Sequence, residues 1–237
     1  LKNANENLVI KDKQKDEFLD TVTHELRTPI TAIRAASEIL HDDDEIPEEL
    51  KKQFLQNIIS ESDRLNRLID KILDLEKFET GKQTIHPTNN NLVQTIKNSI
   101  EPLQQLIKNK SISIEILSND KVFCYYDEDR IVQVITNLLS NAIKFCPETD
   151  GKILIECNIE NNFVKTSVID NGKGIDVEDF ETIFDKFYQS TNQNIKKPVG
   201  SGLGLAICKQ IIEHHKGNIW SEKAMNGAKI SFTLPIE

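Results

Sequence analysis

The chain has 237 residues, 38% of them hydrophobic and 28% charged, with a formal charge of −9. This is the composition of an ordinary globular protein, and the negative balance argues against nucleic-acid binding, where affinity comes mainly from Lys and Arg on phosphates. No run of about 18 apolar residues and no signal peptide occurs, so this segment is expected to make no membrane contact. Cys124, Cys146, Cys157 and Cys208 are scattered without a C-x-x-C pair, which reads as reduced core thiols of a cytoplasmic protein. The chain opens at Leu1 rather than Met, and the expectation is a piece of a longer parent whose sensing or anchoring parts lie elsewhere.

Residues 1–80 contain no glycine and read as helix almost throughout. Residues 1–15 are polar and suggest an incoming linker or coiled-coil helix. A first helix carries Phe18, Val22, Leu26, Ile30 and Ile33 at helical spacing and reaches about Leu40. The polar stretch HDDDEIP connects it to a second helix with an apolar stripe from Leu50 through Phe54, Ile58, Leu65, Leu68 and Ile72 to Leu75, ending at Gly81. Two helices bury too little alone, so two copies are expected to pair as a four-helix bundle, making residues 16–80 an all-α dimerisation hairpin.

After Gly81 the texture turns to mixed helix and strand. A helix is expected over 91–109, strands over 111–117 and 122–126, and a helix over 128–145. KILIECNIE places Ile153, Ile155, Cys157 and Ile159 on one face, turns at Asn161-Asn162 and returns as FVKTSVID. Two last strands flank Asn226-Gly227, a strong hairpin signal. Residues 84–237 therefore read as a separate α+β sandwich.

On the 128–145 helix, Ile131, Ile135, Leu138 and Ala142 form the face expected to pack on a sheet. Asn137, Asn141 and Lys144, at i, i+4 and i+7, form a second, polar stripe. Asparagine is a poor interior helix residue, and two carboxamides in line with an ammonium could hold a cation and phosphate oxygens; a merely solvated face is the alternative. DNGKGI ends a strand: it reads as a bare turn, or as Gly172 and Gly174 admitting a flat ring near the backbone while Asp170 accepts a hydrogen bond from an amino group. GSGLGLAI places Gly200, Gly202, Leu203 and Gly204 at the entry to a helix, a natural anion site. It fits neither the P-loop nor the dinucleotide fingerprint. Between Asp185 and Glu213 no acidic residue occurs, and Lys186, Lys196, Lys197 and Lys209 give those 27 residues a charge of +4, with 189–198 reading as a lid over a polyanion.

Taken together, the residues resemble the catalytic core of the sensor histidine kinases of two-component signalling. HELRTP at 24–29 is similar to that family's H box, NLLSNAIKF at 137–145 to its N box, DNGKGI to its first glycine box, FDKFY at 184–188 to its F box and GSGLGLAI to its second glycine box, in the family's order. The resemblance spans residues 16–237 and implies a phosphotransfer hairpin followed by a Bergerat-type ATP-binding domain. It implies that His24 takes the γ-phosphoryl group of ATP and passes it to an aspartate of a response-regulator receiver domain, that Glu25 assists the imidazole, and that Thr28 serves a phosphatase activity toward that regulator. It implies Mg2+ on Asn141, with Asn137 and Lys144 near the phosphates. Asp170 reads the adenine amino group, and Gly172, Gly174, Gly200, Gly202, Leu203 and Gly204 shape the pocket. Tyr188 is expected to help dock the lid or touch the nucleotide, and Pro29 to bend the helix below the phosphoacceptor.

Two positions depart from the pattern: Lys186 and Gln189 stand where many relatives carry arginine, and lysine keeps the charge without the bidentate geometry. Two rival readings stay open at this level, an ATP-binding pseudokinase or scaffold, and an ATPase clamp of the topoisomerase or mismatch-repair kind.

Overall fold

The computed structural model describes residues 2–43, 45–118, 121–188 and 201–237, with side chains from residue 16 onward except at 17. The chain folds as two compact units, and the boundary falls inside the second helix, between Asp74 and Leu75.

The first unit is a helical hairpin of α1 (Lys2–Asp42) and α2 (Glu48–Glu79). The connector turns where the Asp43 carboxylate accepts the Glu45 N–H at 2.9 Å. Pro47 then sits where the helix needs no donor, its carbonyl accepting the Lys51 N–H at 3.0 Å, and Glu48 and Glu49 suit the positive end of the dipole. α1 runs without interruption through Pro29. Its buried and half-buried positions include Val22, Leu26, Pro29, Ile33, Ala36 and Leu40, spaced by alternating four and three residues. Ile30, expected in this stripe, is instead 51% exposed, because the repeat passes through the buried ring of Pro29.

The second unit begins with the last turn of α2, whose Leu75 and Phe78 are buried. Its elements are β1 (Thr88–Asn91), α3 (Leu92–Ile100), α4 (Gln104–Asn109), β2 (Ser113–Ser118), β3 (Phe123–Tyr126), α5 (Glu128–Phe145), β4 (Lys152–Glu160), β5 (Phe163–Asp170), α6 (Gly204–His214), β6 (Ile219–Lys223) and β7 (Ala228–Pro235). Five strands form a mixed sheet in the order β2-β4-β5-β7-β6, parallel only between β2 and β4, while β1 and β3 pair as a separate antiparallel ribbon. The buried face of α5, which includes Ile131, Ile135, Leu138 and Ala142, packs on β5 of this sheet. Burial of each such side chain contributes about 1.5–3 kcal/mol.

Three expectations need correction. The helix expected over 91–109 is three pieces, because Pro102 supplies no N–H and residues Glu101–Leu103 tighten into a 3-10 turn. The Asn-rich β1 was not anticipated. It forms through tertiary pairing with β3, where the Asn90 carboxamide donates to the Tyr126 carbonyl at 3.0 Å. Ile159, placed by alternation with Ile153, is 57% exposed although Val164 opposite it on β5 is buried; β2, which flanks β4 on its other side, stops pairing at Cys157.

One polar knot fixes the start of α5. Asp127 caps the helix and accepts N–H bonds from Arg130 at 3.3 Å and His86 at 2.9 Å. Its own N–H donates to Nε2 of buried His215 at 3.0 Å, and Nδ1 of that ring meets the Ile211 carbonyl at 2.7 Å. A carbonyl only accepts, so Nδ1 carries the proton and the ring is neutral.

Candidate functional site

In the first unit, His24 projects from α1 with an exposed side chain, and among the described residues nothing hydrogen-bonds its imidazole. Thr28, one turn on, donates its hydroxyl to the His24 carbonyl at 3.3 Å. Thr23 and Thr31 bond back to Leu19 and Arg27 in the same way, at 2.8 and 2.9 Å, so three threonines surround the place where Pro29 removes a donor. Glu25 is half-buried and makes no hydrogen bond to His24. Adjacent helical residues point about 100° apart, so sequence neighbourhood does not become contact.

In the second unit the three motifs expected to share a site meet. Asp170, at the end of β5, is 7% exposed. Its Oδ1 accepts N–H bonds from Gly172 at 2.8 Å and from Ala228 at 3.2 Å. Burial outweighs these bonds and pushes the Asp170 carboxyl above its ordinary range. Asn171 ties the same loop down from the other side, its carboxamide oxygen accepting the Lys152 N–H at 2.7 Å while its nitrogen donates to Asp150 at 2.8 Å.

Gly172 is a steric necessity: a Cβ there would lie 2.4 Å from the Phe145 carbonyl oxygen at the end of α5. Gly202, at φ +65°, is pressed against Phe187, where a Cβ would lie 2.6 Å from the backbone. The Phe187 N–H bonds the Gly202 carbonyl at 3.0 Å. The second glycine segment also reaches α5, since the Asn137 carboxamide donates to the Gly204 carbonyl at 3.5 Å. α6 starts there with no acidic residue in its first turn and no side-chain cap at buried Leu203. Its first N–H groups carry the positive end of the helix dipole.

Asn137, Asn141 and Lys144 are all half-buried along one line of α5. Burial lowers the Lys144 pKa, and its ammonium lies 4.5 Å from the Phe145 ring centre. The Tyr188 hydroxyl is hydrogen-bonded to the Asp179 carboxylate, which raises its pKa; its bond therefore goes to the segment after the first glycine cluster and not to Asp170. Gly174 adopts φ +83° against Gly227. Gly200, Lys196 and Lys197 lie outside the described residues. The β6–β7 turn was missed as part of the site. Asn226-Gly227 reads as a hairpin, and nothing local says that this turn docks on a carboxylate 58 residues earlier.

Residues 14–81 match the His Kinase A (phospho-acceptor) domain, and residues 126–237 match the family of histidine kinase-, DNA gyrase B-, and HSP90-like ATPases. The chain is 34% identical over 230 residues to the sensor histidine kinase WalK of Bacillus subtilis, an alignment covering 94% of this chain and 37% of that protein. The solved catalytic domain of histidine kinase ThkA is 33% identical, with a TM-score of 0.56, covering 64% of this chain and 96% of the domain. The structure of ThkA in complex with response regulator protein TrrA matches at 30% identity and a TM-score of 0.74, over 98% of this chain and 64% of that one. The chain belongs to the histidine kinases, as a phosphoacceptor hairpin followed by an ATPase-type domain. It spans just over a third of the length of the Bacillus relative. Among the described residues no helix is long and apolar enough to cross a membrane.

Proposed function

We propose that this chain is the cytoplasmic catalytic core of a sensor histidine kinase, with residues 1–15 as incoming linker, 16–80 as phosphotransfer hairpin and 84–237 as ATP-binding domain. A nitrogen of the His24 imidazole attacks the γ-phosphorus of ATP; the bond to the bridging oxygen breaks, ADP leaves, and the ring proton passes to Glu25 or water. The phosphoryl group then moves to an aspartate of a receiver domain. The observation that carries this reading is Asp170, a buried carboxylate clamped at one oxygen by two N–H groups and ringed by glycines, in a chain that also presents an exposed, unengaged His24. The neutral form of an imidazole carries a lone pair on one ring nitrogen and is a ready nucleophile.

In the ATP domain Asp170 accepts from the adenine amino group. Gly172, Gly174, Gly200, Gly202, Leu203 and Gly204 shape the pocket, Asn137 and Lys144 meet the phosphates, and Tyr188 steadies the segment beside them. Mg2+ fits Asn141: its carboxamide makes no bond within the described chain, and no cluster of three His, Cys, Asp or Glu occurs among the described residues. One neutral oxygen from the protein, with the remainder from phosphates and water, is the donor set this cation accepts. Bound there, Mg2+ neutralises phosphate charge.

Leu19, Ile39, Leu55, Ile59, Ile69 and Leu73 of the hairpin are each at least 40% exposed, which supports a homodimer formed through it. Thr28, on the His24 face, is assigned to regulator dephosphorylation. The ThkA–TrrA complex supports a response-regulator partner, and exposed His24 is the reason to place its docking on the hairpin.

ADP release under excess Mg2+-ATP tests the reading against its rivals. A histidine kinase without a regulator makes about one ADP per His24 and stops. Continuous turnover indicates an ATPase clamp, and none at all indicates a pseudokinase.

A further inference from the structure

The last turn of α2, where the second unit begins, is fastened to the rest of that unit at two points. One is apolar: Phe78 is 2% exposed, meets the His214 ring at 5.1 Å between centres, and lies under the Arg130 guanidinium at 5.4 Å. The other is ionic: the Glu79 carboxylate lies 2.5 Å from the Lys186 ammonium, with both side chains a little over one-third exposed.

Lys186 belongs to the segment that touches the second glycine cluster. The next residue, Phe187, holds φ 60°, a backbone conformation that a bulky side chain rarely adopts. Its bond to Gly202 keeps it there, two residues before α6 begins. The Lys186 backbone is thereby fixed beside the helix start that suits an anion, while its ammonium is engaged by a carboxylate from α2.

We propose that Lys186 is a phosphate-binding cation held in reserve by Glu79, so that the γ-phosphate of the nucleotide and the end of α2 compete for one ammonium. An ion pair this exposed is weak and exchanges readily. A polyphosphate ending at the γ position offers it more negative charge than a diphosphate does. Coupling of this kind is reciprocal: a nucleotide that takes Lys186 loosens the end of α2, and a pull that withdraws Glu79 tightens nucleotide binding. This rests on the second unit being an ATP site, and it adds a positioning residue, Glu79, on a different element.

The test is nucleotide affinity with Mg2+ in the whole chain, comparing ADP with the non-hydrolysable β,γ-imido analogue of ATP, so that no phosphoryl transfer is needed. Glu79→Gln should raise the analogue-over-ADP affinity ratio by about two- to fivefold, the range an exposed ion pair supplies. Lys186→Gln should lower the ratio below the parent's, and Glu79→Gln should then have no further effect. An unchanged ratio in Glu79→Gln, or the same rise in the Lys186→Gln background, overturns the proposal. So does a parallel weakening of both nucleotides with a lower melting temperature, which makes the pair a structural fastener. If the parent bound neither nucleotide, the ATP reading itself would fall, a result distinct from all of these.

Discussion

The N–H of Ala228 donates to Asp170 Oδ1 across 3.2 Å, joining the turn before the last strand to the end of β5. With the Gly172 N–H on the same oxygen, the carboxylate is held in one orientation at an energetic cost, because burial raises its pKa. A raised carboxylate pKa means the folded state disfavours the ionised form: this contribution to stability is fully present below the ordinary carboxylate range and is lost as pH rises through the raised folded value. Asp170→Asn keeps an acceptor for both N–H groups but presents a donor to the adenine amino group. ATP affinity should fall at least tenfold while the melting temperature holds or rises, read by nucleotide titration and thermal melts at pH 7.5.

Gly172→Ala separates steric from chemical effects. Its new methyl meets the backbone oxygen of Phe145, and nothing flexible can yield. Destabilisation of about 1–3 kcal/mol is expected, together with weakened ATP binding, measured by urea unfolding and by the same titration. A variant as stable as the parent would contradict the packing of this loop on α5.

His215 makes stability pH-dependent. Burial lowers its pKa from the ordinary 6.5, so below that value the unfolded chain binds the proton more readily than the fold does. Stability is fully present above pH 6.5 and declines as pH falls through 6.5 toward the lowered folded value. Protonation would turn the acceptor Nε2 into a donor facing the Asp127 N–H. His215→Gln should reduce the stability difference between pH 7.5 and 5.5, measured by urea unfolding.

The four cysteines, all buried, should be silent to a thiol reagent. Burial pushes the Cys124 pKa up to about 12, and the thiolate is the reactive form. No fast-reacting thiol is expected in the native chain, against four in guanidinium.

Much of this was legible in the residues. The 3.6 period of α5 announced both its buried face and the Asn137, Asn141, Lys144 line, because both faces lie within one element. The glycines marked close approaches without naming what approaches: the Phe145 carbonyl at Gly172 and the Phe187 backbone at Gly202 come from other segments. Pro29 reads as a disruption until its ring takes a place in the 4–3 stripe that Ile30 was expected to hold. β1 was illegible because three of its four residues are asparagines, with weak strand preference, and it forms only against β3; the Gly227 contact with Asp170 was illegible because no short-range rule spans that separation.

The most direct measurement is incubation of the parent and His24→Gln with Mg2+ and γ-labelled ATP. The account predicts acid-labile, base-stable label on the parent and none on the variant, at equal nucleotide affinity. Label that persists on the variant, or a parent that binds ATP and stays unlabelled, would contradict it.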